Sequence, residues 1–172
     1  MTMVLGVLSD SHGDAAATAR AVAVLETHGA EFLIHCGDIC SPAVLDQLAG
    51  HRACFVFGNC DTPDASWRDY VRTLGLEWPE APLRLELGGR RIGVAHGHER
   101  AFRALLNDPE LDYLFFGHTH VYSDRRIGRL RAINPGALHR ARTRTVARVD
   151  LATDELTFLT LDGYRLDDTG VF

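Results

Sequence analysis

The chain has 172 residues, 46% of them hydrophobic and 24% charged, with a formal net charge of −5. That length suits one globular domain over residues 1–172 that buries roughly two thirds of its unfolded surface, and no apolar run approaches the roughly 18 residues a membrane span needs. The negative balance argues against a general nucleic-acid coat.

The opening MTMVLGVLSD is apolar, lacks a basic leader and runs straight into DSHGD, so Val4 to Leu8 reads as a first strand rather than a signal peptide. Ala15 to Leu25 is alanine-rich and helix-forming, with Asp14 available as its cap. The unit then repeats. Phe32 to His35 is a strand ending at Gly37-Asp38, and Pro42 starts a helix through Leu48, because proline fits a first helical turn. Ala53 to Phe57 is a third strand, ending at Gly58-Asn59, and Asp61 to Pro82 is mixed, with Trp67, Tyr70, Leu74 and Leu76 suggesting a helix and then a loop. Leu83 to Leu87 and Arg91 to Ala95 flank Gly88-Gly89-Arg90, a hairpin signal that puts His96 at a strand end. Ala101 to Leu106 reads as helix and Tyr113 to Phe116 as a buried strand, followed by Gly117 to His120. Alternation in Arg129 to Ile133, Thr145 to Leu151 and Leu156 to Leu161 favours antiparallel strands. With βα units first and a β-rich segment second, an α/β sandwich with two packed sheets is favoured over a purely parallel sheet.

Charge is unevenly spread. Eight arginines and no acid lie between Arg125 and Arg148, whereas Asp150 to Phe172 carries six acids and one arginine. A basic rim attracting phosphates is one reading; an exposed strand face paired with acidic neighbours is the plainer one. The four cysteines, Cys36, Cys40, Cys54 and Cys60, lack CxxC spacing and read as reduced thiols of a cytoplasmic protein.

Seven metal-ligand residue types sit in five pieces: Asp10 and His12, Asp38, Asn59, His96, and His118 with His120. Each piece follows an apolar run and is bounded by glycine, where a buried strand gives way to a loop. Singly, Asp10 or Asp38 is a cap or turn residue, Asn59 a turn residue and His96 a structural histidine. Together, in the order D-x-H, G-D, G-N, H and G-H-x-H, they supply the hard and borderline donors that a pair of catalytic cations needs.

With these motifs the chain resembles the calcineurin-like metallophosphoesterases, in particular their small, cap-less phosphodiesterase branch, from Met3 to about Ala137. The resemblance implies a four-layer α/β/β/α sandwich of two mixed sheets. It implies that Asp10, His12 and His120 hold one divalent metal, that Asn59, His96 and His118 hold the other, and that Asp38 bridges them. It also implies manganese as a frequent activator, with Fe, Ni, Zn or Mg as alternatives, and hydrolysis of a small phosphate ester by hydroxide held between the two ions. Asn134-Pro135-Gly136 looks like the family's turn near the site.

Many relatives carry a histidine after the GN pair that assists the leaving group, but here Cys60 follows Asn59. A thiol is a poorer proton donor than imidazolium at neutral pH. Either activation by metal suffices for good leaving groups, or His98, two residues beyond His96, donates the proton; His98 and Asn59 are thus the candidate catalytic residues. Asp61 is expected to support its loop by hydrogen bonds, and Cys36 to be a small buried hydrophobe. Without a long insertion to form a lid, the site is expected to be open. Two alternatives stand beside the enzyme: a non-catalytic scaffold of the same fold, like the retromer subunit, and nuclease-type activity through Arg125 to Arg148.

Overall fold

In the computed structural model, residues 3–166 are described; Asp167 and Asp168 of the acidic tail lie outside them. Ten strands and four α-helices follow one another as β1 (Val4–Leu8), α1 (Ala15–Thr27), β2 (Phe32–His35), α2 (Pro42–Leu45), β3 (Ala53–Phe55), α3 (Ala65–Thr73), β4 (Leu83–Leu87), β5 (Arg90–Val94), α4 (Arg100–Leu106), β6 (Tyr113–Phe115), β7 (Ser123–Ile127), β8 (Leu130–Asn134), β9 (Thr145–Asp150) and β10 (Glu155–Thr160). They form two mixed five-stranded sheets, ordered β10-β9-β1-β2-β3 and β4-β5-β6-β8-β7.

Period-two alternation along the buried strands sorts their side chains into three buried layers. Leu5 and Val7 of β1, Ile34 of β2, Ile92 and Val94 of β5, Phe115 of β6 and Val149 of β9 meet between the sheets. The opposite face of the first sheet packs on α1 to α3 through Leu8, Leu33, Ala21, Leu25 and Val71. The opposite face of the second packs on α4 through Leu114, Ala132 and Leu105. This is the α/β/β/α sandwich of two mixed sheets.

Both sheets have parallel centres. β1 to β3 are parallel to one another, as are β5, β6 and β8, so their carboxyl ends deliver loops to one edge of the sandwich, where open α/β sheets place ligands. Pairing continues past the strands: Asp10 N–H donates to the Gly37 carbonyl at 3.0 Å and His12 N–H to the Asp38 carbonyl at 2.8 Å.

Several boundaries differ from the sequence reading. The helix from Pro42 passes into a 3-10 turn over Asp46–Leu48, a common tightening of a helix end. β3 stops at Phe55. β7 was not expected: its Ser-Asp-Arg-Arg-Ile run carries no apolar alternation because four of its five residues are exposed on a sheet edge.

Candidate metal centre

The seven residues converge at that edge. Asp10, His12, Asp38 and His120 each present a donor atom within 4.8 Å of the others. His12 Nε2 is 3.2 Å from His120 Nε2, and His120 Nε2 is 3.2 Å from Asp10 Oδ1. A second group adjoins it, in which Asn59 Oδ1 lies 3.1 Å from His96 Nε2 and 2.9 Å from His118 Nδ1. Asp38 Oδ2 stands between the two, 3.5 Å from His12 Nε2 and 3.4 Å from His96 Nε2. Such spacings approximate the edges of coordination shells with bonds of about 2.1 Å.

The carboxylates divide their labour. Asp10 Oδ2 accepts the His118 N–H at 3.1 Å, while Oδ1 is buried and makes no hydrogen bond among the described residues. Asp38 Oδ1 accepts the Cys60 N–H at 2.8 Å, leaving Oδ2 toward the histidines. A buried carboxylate oxygen without a donor is costly unless a cation faces it, and the donor set therefore fits divalent metal. His96 Nδ1 donates to the Cys36 carbonyl at 2.8 Å, which aims Nε2 inward, the usual second support of a metal-binding imidazole. The floor of Asp10, Asp38 and His96 is buried, whereas Asn59 and His118 are exposed, so the site is open.

Backbone strain concentrates here. Asp10, His12, Asp38, His118 and His120 have φ between 44° and 69°, left-handed values disfavoured for residues with a Cβ though best tolerated by Asp, Asn and His. Surrounding hydrogen bonds hold them. Asp61 receives Gly58 N–H at 2.7 Å, Cys40 N–H at 2.6 Å and Ile39 N–H at 3.1 Å, tying the loop after β3 to the loop after β2. Asn134 Nδ2 donates to the Gly117 carbonyl at 2.7 Å and lies 3.1 Å from Thr119 Oγ1, steadying the loop of His118 and His120.

Electrostatics follow from this packing. Burial alone would raise Asp38, but hydrogen bonds from His96 and the Cys60 N–H hold its carboxyl well below the usual range. Burial pushes His96 down, yet its hydrogen bonds to Asp38 and the Cys36 carbonyl leave it raised. Burial dominates at His12, which is lowered, and pushes the Cys60 thiol up together with Asp38. His98 stands beside the second group, its ring 6.1 Å from that of His118 and its Nδ1 3.6 Å from Glu99 Oε2.

Three supporting residues escape the sequence reading. Glu99 accepts His96 N–H at 2.8 Å and Gly97 N–H at 2.7 Å. The ring of His139 stands 5.7 Å from that of His12. His35 is fully buried; Gly37 N–H donates to its Nδ1 at 3.2 Å, so the neutral ring carries its proton on Nε2 and donates to Ser11 Oγ at 2.7 Å. Ser11 lies between the ligand types Asp10 and His12, and no local motif betrays the link.

Most of the basic segment is paired, as the plainer reading expects. Arg126, Arg129, Arg131, Arg144 and Arg148 each meet an acid, whereas Arg125, Arg140 and Arg142 have none among the described residues. Cys36 is buried between the sheets, all four cysteines are free, and no described helix is long and apolar enough to cross a membrane.

Comparison with known proteins places these features. The model of the calcineurin-like phosphoesterase superfamily domain matches residues 3–154. A probable metallophosphoesterase of Methanothermobacter thermautotrophicus is 30% identical over 174 residues, covering 96% of this chain and 90% of that protein. Phosphodiesterase MJ0936 of Methanocaldococcus jannaschii is 24% identical over 138 residues, 78% of this chain and 83% of that one. The solved structure of an archaeal phosphodiesterase superposes with a TM-score of 0.82 at 20% identity, covering 92% of this chain and 99% of that one.

Proposed function

Because the chain belongs to the calcineurin-like phosphoesterase superfamily, we propose that it is a metal-dependent phosphodiesterase acting on small phosphate esters as one domain over residues 1–172. One observation carries this reading: two donor groups share Asp38 Oδ2, 3.5 Å from His12 Nε2 and 3.4 Å from His96 Nε2, beside a buried Asp10 oxygen that accepts no hydrogen bond from the described residues. Asp10, His12 and His120 would hold one divalent cation, Asn59, His96 and His118 a second, and Asp38 both. Bound there, the cations supply Lewis-acid charge that acidifies water and neutralises phosphoryl oxygens. Manganese is the first candidate, with iron, nickel, zinc or magnesium as alternatives, since mixed oxygen and nitrogen donors accept all of them.

The chain's own residues do the rest. The buried floor excludes water from one side, and the exposed Asn59 and His118 rim admits the ester. His98, beside that rim, is assigned proton donation to leaving groups that need it. The four free cysteines suit the reducing cytoplasm. Pairing of five of the eight arginines in the basic segment favours a small ester over nucleic acid.

Metal titration with bis(4-nitrophenyl) phosphate tests the function. Hydrolysis that appears with a divalent metal and disappears with chelator is expected; none with manganese, nickel, cobalt or iron would leave a non-catalytic scaffold as the better account. His98→Ala then tests the donor, with an expected fall of about 10²-fold for an alkyl diester and little for the nitrophenyl diester. Equal falls on both would remove His98 from that role.

A further inference from the structure

The edge that carries the metal centre continues sideways into a second concavity. β9 is antiparallel to β1, and β10 is antiparallel to β9. The residues before β9 and the turn after β10 therefore emerge at the same edge as the Asp10 and His12 turn after β1. With the order β10-β9-β1, a strand spacing of about 4.8 Å puts β10 roughly 10 Å to the side of β1. A cleft of about 340 Å³ opens there, its lining including Arg20 of α1, Arg142 and Arg144 before β9, and Thr160, Asp162 and Tyr164 at and after the end of β10. One loop joins it to the centre. Leu138 N–H donates to the Ser9 carbonyl and His139 N–H to the Asp10 carbonyl, both at 3.1 Å. Farther along the same loop, Arg144 Nη1 lies 3.5 Å from Oδ2 of Asp14, two residues beyond His12.

The lining offers an aromatic face and one uncompensated positive charge. Tyr164 is 72% exposed, yet its backbone is fixed: Thr160 N–H donates to its carbonyl at 2.9 Å, and its own N–H donates to Thr160 Oγ1 at 3.2 Å. An exposed ring on a fixed backbone is a platform on which a heterocyclic base can stack. Arg20 Nη2 is 2.5 Å from Asp162 Oδ1 and Arg144 faces Asp14, whereas Arg142 meets no acid among the described residues. Three guanidiniums against two carboxylates leave one positive charge at the cleft, and Arg142 carries it. A planar guanidinium without a carboxylate partner is suited to phosphate oxygens.

We propose that this cleft is a nucleotide subsite beside the metal centre. It receives the retained half of the diester, a nucleoside carrying a second phosphate, with the base on Tyr164 and that phosphate at Arg142. This rests on the phosphodiesterase reading above and narrows its small ester to a nucleotide ester. The volume stands at the lower end of the roughly 300–1,000 Å³ of ligand pockets, which suits one nucleotide rather than a polymer.

Three 4-nitrophenyl diesters share one leaving group and separate the outcomes, each with the manganese-loaded full chain. They are thymidine 3′-phosphate 5′-(4-nitrophenyl phosphate), thymidine 5′-(4-nitrophenyl phosphate), which lacks the second phosphate, and methyl 4-nitrophenyl phosphate, which lacks the nucleoside. In each, the oxygen of water bonds to phosphorus and 4-nitrophenolate leaves with the bonding pair. Above the ionisations of nitrophenol and the product monoester, both protons of the water pass to solvent. The wild-type kcat/KM is expected to fall by about fivefold or more at each step down that series. Tyr164→Ala should lower the preference for the thymidine esters over the methyl ester by about fivefold or more, mainly through KM, with Tyr164→Phe keeping most of it. Arg142→Met should lower the preference for the ester with the second phosphate by a similar factor, with Arg142→Lys recovering part. Arg125→Met, which removes an exposed arginine outside the cleft, should alter neither preference. Equal hydrolysis of all three by the wild type overturns the subsite and leaves the phosphodiesterase reading standing, and so does a preference that Tyr164→Ala or Arg142→Met leaves untouched. Hydrolysis of none of the three, nor of bis(4-nitrophenyl) phosphate, overturns both.

Discussion

A β-carbon on Gly58 would lie 2.2 Å from Asp38 Oδ1 and 2.5 Å from the Asp38 nitrogen. The backbone of the Asn59 loop thus presses on the shared carboxylate, and Gly117 presses likewise on Ser9 and Asp10. Gly58→Ala should therefore displace Asp38 while leaving the fold intact, weakening metal binding by about 10–100-fold, the range for lost support around a ligand. Metal affinity from calorimetry, with circular dichroism as the fold control, tests it; unchanged affinity would contradict the close approach. His35 acts through protonation instead. Burial pushes it down to about 3 from an ordinary 6.5, so between those values the unfolded chain binds a proton that the folded chain refuses. The stability this contributes is present above about pH 6.5 and is lost as pH falls toward about 3, with a slope of at most about 1.4 kcal/mol per pH unit. His35→Gln keeps an N–H donor for Ser11 without titrating and should flatten the loss between pH 6 and pH 4 by roughly 2 kcal/mol in chelator-treated protein. Parallel denaturation curves for both proteins across that range would refute it. The convergence of the seven donor residues was legible because glycine and spacing mark them; His35 was not, because it closes an apolar strand whose only clue to Ser11 is a parallel register.

At the scale of elements, legibility tracks burial. β1, β2 and β6 each have a face against both neighbouring layers and read as apolar runs, broken in β2 only by the closing His35. β7, polar and paired among the described residues only with β8, has no such signature. The loops after β2 and β3 come together through one side chain, Asp61, whose two oxygens receive three backbone N–H groups. Asp61→Ala strands those donors at the edge of the sandwich, where partial access to water limits the penalty. A destabilisation of about 2–4 kcal/mol is expected, together with weaker metal binding, because Cys40 and Gly58 frame Asp38. Asp61→Asn, keeping one acceptor oxygen, should lose less. Urea denaturation of the three proteins orders them, and Asn as harmful as Ala would show that charge rather than acceptor geometry holds the loops.

The centre straddles the whole molecule. Asp10, His12, Asp38 and Asn59 leave the first sheet, whereas His96, His118 and His120 leave the second, so a cation shared among them acts between the two halves of the sandwich. A ligand that binds only the folded state stabilises it by RT ln(1 + [L]/Kd), about 2.7 kcal/mol at a hundredfold excess over Kd. Thermal unfolding should therefore move upward with added manganese and return with chelator. Asp38→Asn, which neutralises the carboxylate lying between the two groups, should abolish that increment, while a substitution of exposed Arg125 should leave it intact. Protons compete for the same donors. Burial lowers His96, but Asp38 and the Cys36 carbonyl raise it further, so the ring must give up a proton before Nε2 can bind a cation. The metal increment should accordingly shrink as pH falls through the raised His96 value, with proton release on binding detectable in buffers of different ionisation heat. A melting temperature indifferent to metal, or an equal increment in Asp38→Asn, would mean that the seven residues converge without a cation joining the sheets.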